Sequence, residues 1–174
     1  MNILIAAVAS TLCLVIAASV CLADGPTREE AVRERSADVM PFDVGATTHI
    51  FNKTSTGGIQ RVVAKTADDM PQVEPIRAHL KIIADKFGRG DFGEPAHVHG
   101  AGMPGLVTLR SAKTGELKIS YRDTPLGGEI EYSSSNPEIV AAVHDWFDAQ
   151  LADHGPDAST GHDHTGHGQL QTAP

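Results

Sequence analysis

Two stretches of this chain, TTHIFNKTSTGGIQRVVAK and LKISYRDTPLGGEIEYS, place short runs of strand-forming residues on either side of a turn ending in Gly-Gly. Each reads as a β-hairpin, with His49 and Phe51 on one face of the first and Leu117, Ile119, Tyr121, Ile130 and Tyr132 alternating in the second. A helical pattern follows each hairpin. From Asp69 to about Phe87 the apolar positions Ile76, Leu80, Ile83 and Phe87 recur at three- and four-residue steps, and Gly88 and Gly90 end the run. The last helix opens with Asn136 as N-cap and Pro137 at its first position, buries Ile139, Val143, Phe147 and Leu151, and closes at His154-Gly155. Between the halves, Glu94 to Gly105 (EPAHVHGAGMPG) reads as a Gly- and Pro-rich loop, followed by a short helix at LVTLRSA. The order ββα, loop, ββα predicts an α+β fold: two hairpins forming an antiparallel sheet of about four strands, with helices packed on one face.

The first 23 residues contain no charged side chain and are almost wholly apolar. They read as an export signal with cleavage after Ala23, which places the protein in the periplasm or outside the cell. Uncleaved, a run of that length also suits a membrane anchor. Both cysteines, Cys13 and Cys21, lie within it, so the remainder has no thiol for a disulfide, a Cys-zinc site or nucleophilic chemistry. Stability must then come from an ordinary apolar core. Residues 24–39 read as a charged linker with a short helix over Arg28 to Ser36, residues 40–154 as the domain, and residues 155–174 as a disordered tail. The net charge of −8 disfavours nucleic acid and anionic lipid as partners and is compatible with cations.

The chain has nine histidines. His79 and His144 border the apolar stripes of the two long helices, where a half-buried ring is also an ordinary structural residue. His49 is on a strand, His97 and His99 are in the loop, and His154 sits at a helix end, where a cationic side chain is favourable in itself. Met103 follows closely in the loop; it is either a soft metal donor or a plug for the core. The tail motif HDHTGH adds His162, His164 and His167, a set that chelates late transition metals even in a flexible chain. A Gly-rich phosphate loop, GxSxG and HExxH are all absent.

At THIFNKTSTGGIQRVVA, IRAHL, HGAGMPGL and HDWFDAQLADHG the chain resembles a family of small exported bacterial proteins often labelled aspartate carbamoyltransferase. The resemblance covers roughly Met40 to Gly155, and His49, His79, His99, His144 and His154 fall inside its motifs. The label itself implies a longer, two-domain α/β enzyme with a Ser-Thr-Arg-Thr phosphate-binding stretch, and that stretch is absent here.

These observations lead to the expectation of a periplasmic metal-binding protein. Copper is the first choice because His and Met together suit both of its oxidation states, with zinc or nickel as alternatives. His49, His79, His99, His144 and Met103 are expected to converge at one end of the sandwich, and the tail to form a weaker second site. Two other classes remain open: a small enzyme using His99 or His144 as general base, and a small-ligand or protein-interaction module.

Overall fold

The computed structural model describes residues 25–161; the apolar segment 1–23 and the tail residues His162, His164 and His167 lie outside the described residues. The first hairpin is β1 (Thr47–Thr54) and β2 (Gly57–Ala64), and the second is β3 (Lys118–Thr124) and β4 (Gly127–Ser133). They join edge to edge through an antiparallel β2–β4 pairing that sets Gln60 opposite Ile130 and Val62 opposite Gly128. The Gly-Gly pair that opens β2 and β4 explains how the hairpins fit. A Cβ on Gly127 would meet the Val62 carbonyl oxygen at 2.0 Å, and one on Gly58 would meet the Phe147 ring at 2.4 Å. Backbone packs where those side chains would stand.

The sheet has five strands, in the order β3-β4-β2-β1-β5. The expected α+β architecture of two hairpins under helices is present, and the fifth strand is the addition. Gly155–Asp157 forms a 3-10 turn that returns the chain to the free edge of β1, where β5 (Ala158–Ser159) pairs in parallel with His49 and Ile50. Asp157 fastens this return through Arg33 and Lys65. Residues 155–161, which composition alone marks as tail, therefore complete the sheet.

The N-terminal helix α1 (Arg28–Ser36) is closed by a capping box between Thr27 and Glu30. It is a docked element rather than a linker. Val32 and Ser36 are fully covered, while Arg28, Arg33 and Arg35 reach Asp153, Asp157 and the Val98 carbonyl oxygen. A scarcity of apolar residues hides this from a hydrophobicity reading, because the docking is largely done by arginines.

Helix α2 (Met70–Phe87) lies over β2, β3 and β4, and α5 (Pro137–His154) over β1 and β2. Both cover the face that carries Phe51, Val62, Ile130 and Tyr132. Trp146, 1% exposed, packs edge-on to Phe87, Phe92 and Tyr132 with ring centroids 5.5–5.9 Å apart. On the other face of the sheet, Arg61 and Arg122 bracket the buried Glu129 carboxylate.

Glu94 to Gly105 departs from its expected loop conformation: residues Gly93–His99 form a helix, α3, and a tight turn leads to the expected short helix, α4 (Leu106–Ser111). Pro95 stands in the first turn of α3, where a proline costs no hydrogen bond, and Glu94 beside it favours the positive end of the helix. Gly100, at φ 94°, ends it. Among the described residues no helix is long and apolar enough to cross a membrane.

Candidate functional site

The alternation of β1 turns His49 inward with Thr47 and Phe51, and the ring is 2% exposed. In register, His49 stands opposite Ala158, four residues beyond the end of α5, so the returning chain brings His154 beside it. Their rings stack with centroids 4.4 Å apart and planes at 23°. His99, the last residue of α3, meets the His154 ring edge-on at 5.1 Å. These three imidazoles, with the half-buried His79 of α2, line one cavity of about 50 Å³, room for several waters or a small organic fragment. Its apolar wall is formed by Val62, Leu80, Ile83, Phe87, Val98 and Trp146.

His99 is the most elaborately held of the four. Its Nδ1–H donates to Asp153 Oδ2 at 2.9 Å, and Asp153 is in turn clamped by the Arg28 guanidinium, which also donates to the His99 carbonyl oxygen at 2.9 Å. Nε2 of His99 forms no hydrogen bond to protein among the described residues, so the ring presents one free nitrogen on a fixed axis. Burial alone would raise the Asp153 pKa, but the Arg28 and His99 hydrogen bonds outweigh it and hold the carboxyl below its ordinary range.

Burial is also the first cause of the histidines' own shifts, because a charged imidazole loses its hydration here. It pushes His154 down to about 4, with His99 adding repulsion. His49 is driven well below its ordinary value by burial and then by His154, His99 and His79. His99 is lowered by burial, partly offset by Asp153, and His79 is lowered by burial, partly offset by Glu94. All four are neutral at pH 7, the state that an acid–base group or a metal ligand requires.

Five buried side-chain polar atoms have no protein partner among the described residues, and four of them belong to residues of this cavity: His49 Nε2, Glu94 Oε2, Trp146 Nε1 and Gln150 Oε1. A buried polar group left unpaired costs about 1–3 kcal/mol. Four of the five thus belong to residues around a single cavity.

The remaining expected ligands go elsewhere. Because α3 is helical, His97 and His99 point away from each other; His97 is exposed and meets Asp38 at 3.1 Å. Met103 is 3% exposed within the apolar core and does not line the cavity. His144 Nε2–H donates to the Thr54 and Gly57 carbonyl oxygens at 3.0 and 2.9 Å, fastening the first hairpin turn to α5. The expected convergence of His49, His79, His99, His144 and Met103 thus holds for three of the five, with His154 joining them. No group of three or more metal-ligating side chains is arranged to hold an ion among the described residues.

Arg28, Gln60, Glu94, Trp146, Gln150 and Asp153 belong to the site without having been singled out in the sequence. Gln150 and Asp153 carried a legible signal, since both fall on the face of α5 that ends in His154. Arg28 carried none. Compared with protein-family models, with characterised proteins and with solved structures, the chain matches none.

Proposed function

We propose that this chain is an exported small-ligand protein whose working site is the four-histidine cavity, with His99 placed as its acid–base group. The observation that carries the reading is the gathering of four partnerless polar atoms around one small cavity. An apolar pocket with a few converging polar groups and displaced histidine pKa values is the usual form of a ligand site. The Asp153–His99 pair adds a chemical capability: an oriented imidazole, neutral at physiological pH, that can accept a proton from a bound molecule. Export rests on the apolar first 23 residues. The carbamoyltransferase label of the proteins this chain resembles gains no support from the site, since no Lys or Arg lines the cavity to receive a phosphate.

The test uses Trp146, the single tryptophan of the chain, as a reporter built into the wall. Fragments that bind should move its indole N–H resonance saturably, and Val98→Phe, which fills the cavity, should abolish the response. Binding that leaves Trp146 unmoved, or that survives the filled cavity, overturns the reading.

A metal site is the second reading, favoured by one arrangement: His49, His99 and His154 are mutual neighbours, and the carboxylate behind His99 is the support that metal-ligating imidazoles commonly have. The rings would have to turn before their nitrogens met at an ion. Without Met103 the donors are nitrogen and oxygen, a set better suited to Cu(II), Zn(II) or Ni(II) than to Cu(I). Competitive titration of the chain ending at Gly161 separates this site from the histidine tail. One tight equivalent that is lost in His49→Phe supports a metal site, and no uptake leaves metal affinity to the tail.

A further inference from the structure

The groups on the cavity wall also restrict what kind of molecule can enter. Glu94 and Gln150 present oxygens, Oε2 and Oε1, that can only accept hydrogen bonds; Trp146 Nε1–H can only donate; His49 Nε2 does either, according to its tautomer. Glu94 is the one carboxylate of the lining, and no Lys or Arg faces it from inside. Lys86 grips its other oxygen, Oε1, and Oε2 is left buried without a protein partner. Phe42, Phe87 and Trp146 complete the surroundings with aromatic rings, whose faces attract cations. An anionic guest would find no Lys or Arg on the wall, and would lie beside a carboxylate to which the nearby Lys86 is already paired.

Resting on the cavity reading above, we propose that the guest is a small organic amine bound as its ammonium ion. Its N–H groups bond Glu94 Oε2 and Gln150 Oε1, and its short apolar body lies against Val62, Leu80 and Trp146. Any acceptor it carries, such as a hydroxyl, has Trp146 Nε1–H as a partner. The charge that selects it is the half of the Glu94 carboxylate that Lys86 does not occupy.

The experiment titrates the full chain at pH 7.5 with three probes of matched size, propylammonium, 1-propanol and propionate, following the Trp146 indole N–H resonance. Propylammonium should bind at least tenfold more tightly than propionate. Glu94→Gln, which keeps the size of the side chain and removes its charge, should abolish that preference. Lys86→Met, which frees the carboxylate without touching the wall, should strengthen propylammonium binding several-fold. Propionate binding as tightly as propylammonium, or a preference that survives Glu94→Gln, overturns the assignment of an amine while leaving the cavity as a ligand site. If none of the three probes moves Trp146 in the wild-type chain, the amine and the cavity reading fall together.

Discussion

Acid should begin to weaken this domain well above the pH at which its carboxylates titrate, and the buried histidines set the window. In the unfolded chain each imidazole takes up a proton near 6.5; in the fold, burial and then His99 hold His154 down to about 4. Between those two values the unfolded state binds the extra proton, so stability is fully present above pH 6.5 and is lost as pH falls toward 4. For His154, 7% exposed, that difference is worth about 3 kcal/mol. His49, His99 and His79 are shifted in the same direction, and each adds up to about 1.4 kcal/mol per pH unit within its own window. Asp153 is held below its ordinary range, so its loss comes at still lower pH and does not blur the effect. Against a typical total of about 5–15 kcal/mol, the His154 contribution by itself is a sizeable share, most of it lost by about pH 4.5. Urea unfolding followed by Trp146 fluorescence from pH 7.5 to 4.5 measures this directly, with His154→Gln as control. The wild-type midpoint should fall steadily below pH 6.5, and the control should fall about one proton less steeply. A midpoint that stays level down to pH 5, or a control with the wild-type slope, refutes the reasoning.

Three substitutions separate the site from its scaffold. Gly105→Ala should cost about 3 kcal/mol in denaturant unfolding, because φ is +73° and a Cβ there would meet the Ala142 carbonyl oxygen at 2.0 Å. Met103→Ala should cost about 2–5 kcal/mol as a core truncation yet leave fragment and metal binding by the folded protein unchanged; altered binding would return Met103 to the site. Asp153→Asn should cost about 1–3 kcal/mol by weakening the buried carboxylate's hydrogen bonds to His99 and to the more exposed Arg28, and it should also raise the amide hydrogen exchange of α1. Exchange confined to the end of α5 would mean that Arg28 docks α1 without it.

The fold was legible where local chemistry and burial agree. Gly-Gly turns, alternation in the strands, the three- and four-residue steps of Ile76, Leu80 and Ile83, and the Asn136-Pro137 start each specify one conformation. The region that misled was Glu94 to Gly105, where Gly and Pro suggest a loop. Pro95 in a first turn is compatible with a helix, and the two-residue step from His97 to His99, about 200° around a helix, sends them to opposite sides. The site was legible in its histidines but not in their supports. Whether His144 is a ligand or a hairpin fastener depends on the Thr54 and Gly57 carbonyls, and no sequence pattern reports where those point. The docking of Arg28 on Asp153 is a pairing of two charges that look solvated in isolation.

That last pairing joins positions 125 residues apart, nearly the two ends of the described domain. Contacts of such separation close a long loop of chain and carry a correspondingly high entropic cost. Asp153 thus ties the ring of His99 to a helix near the far end of the described residues, so whatever loosens α1 also loosens the seat of that ring.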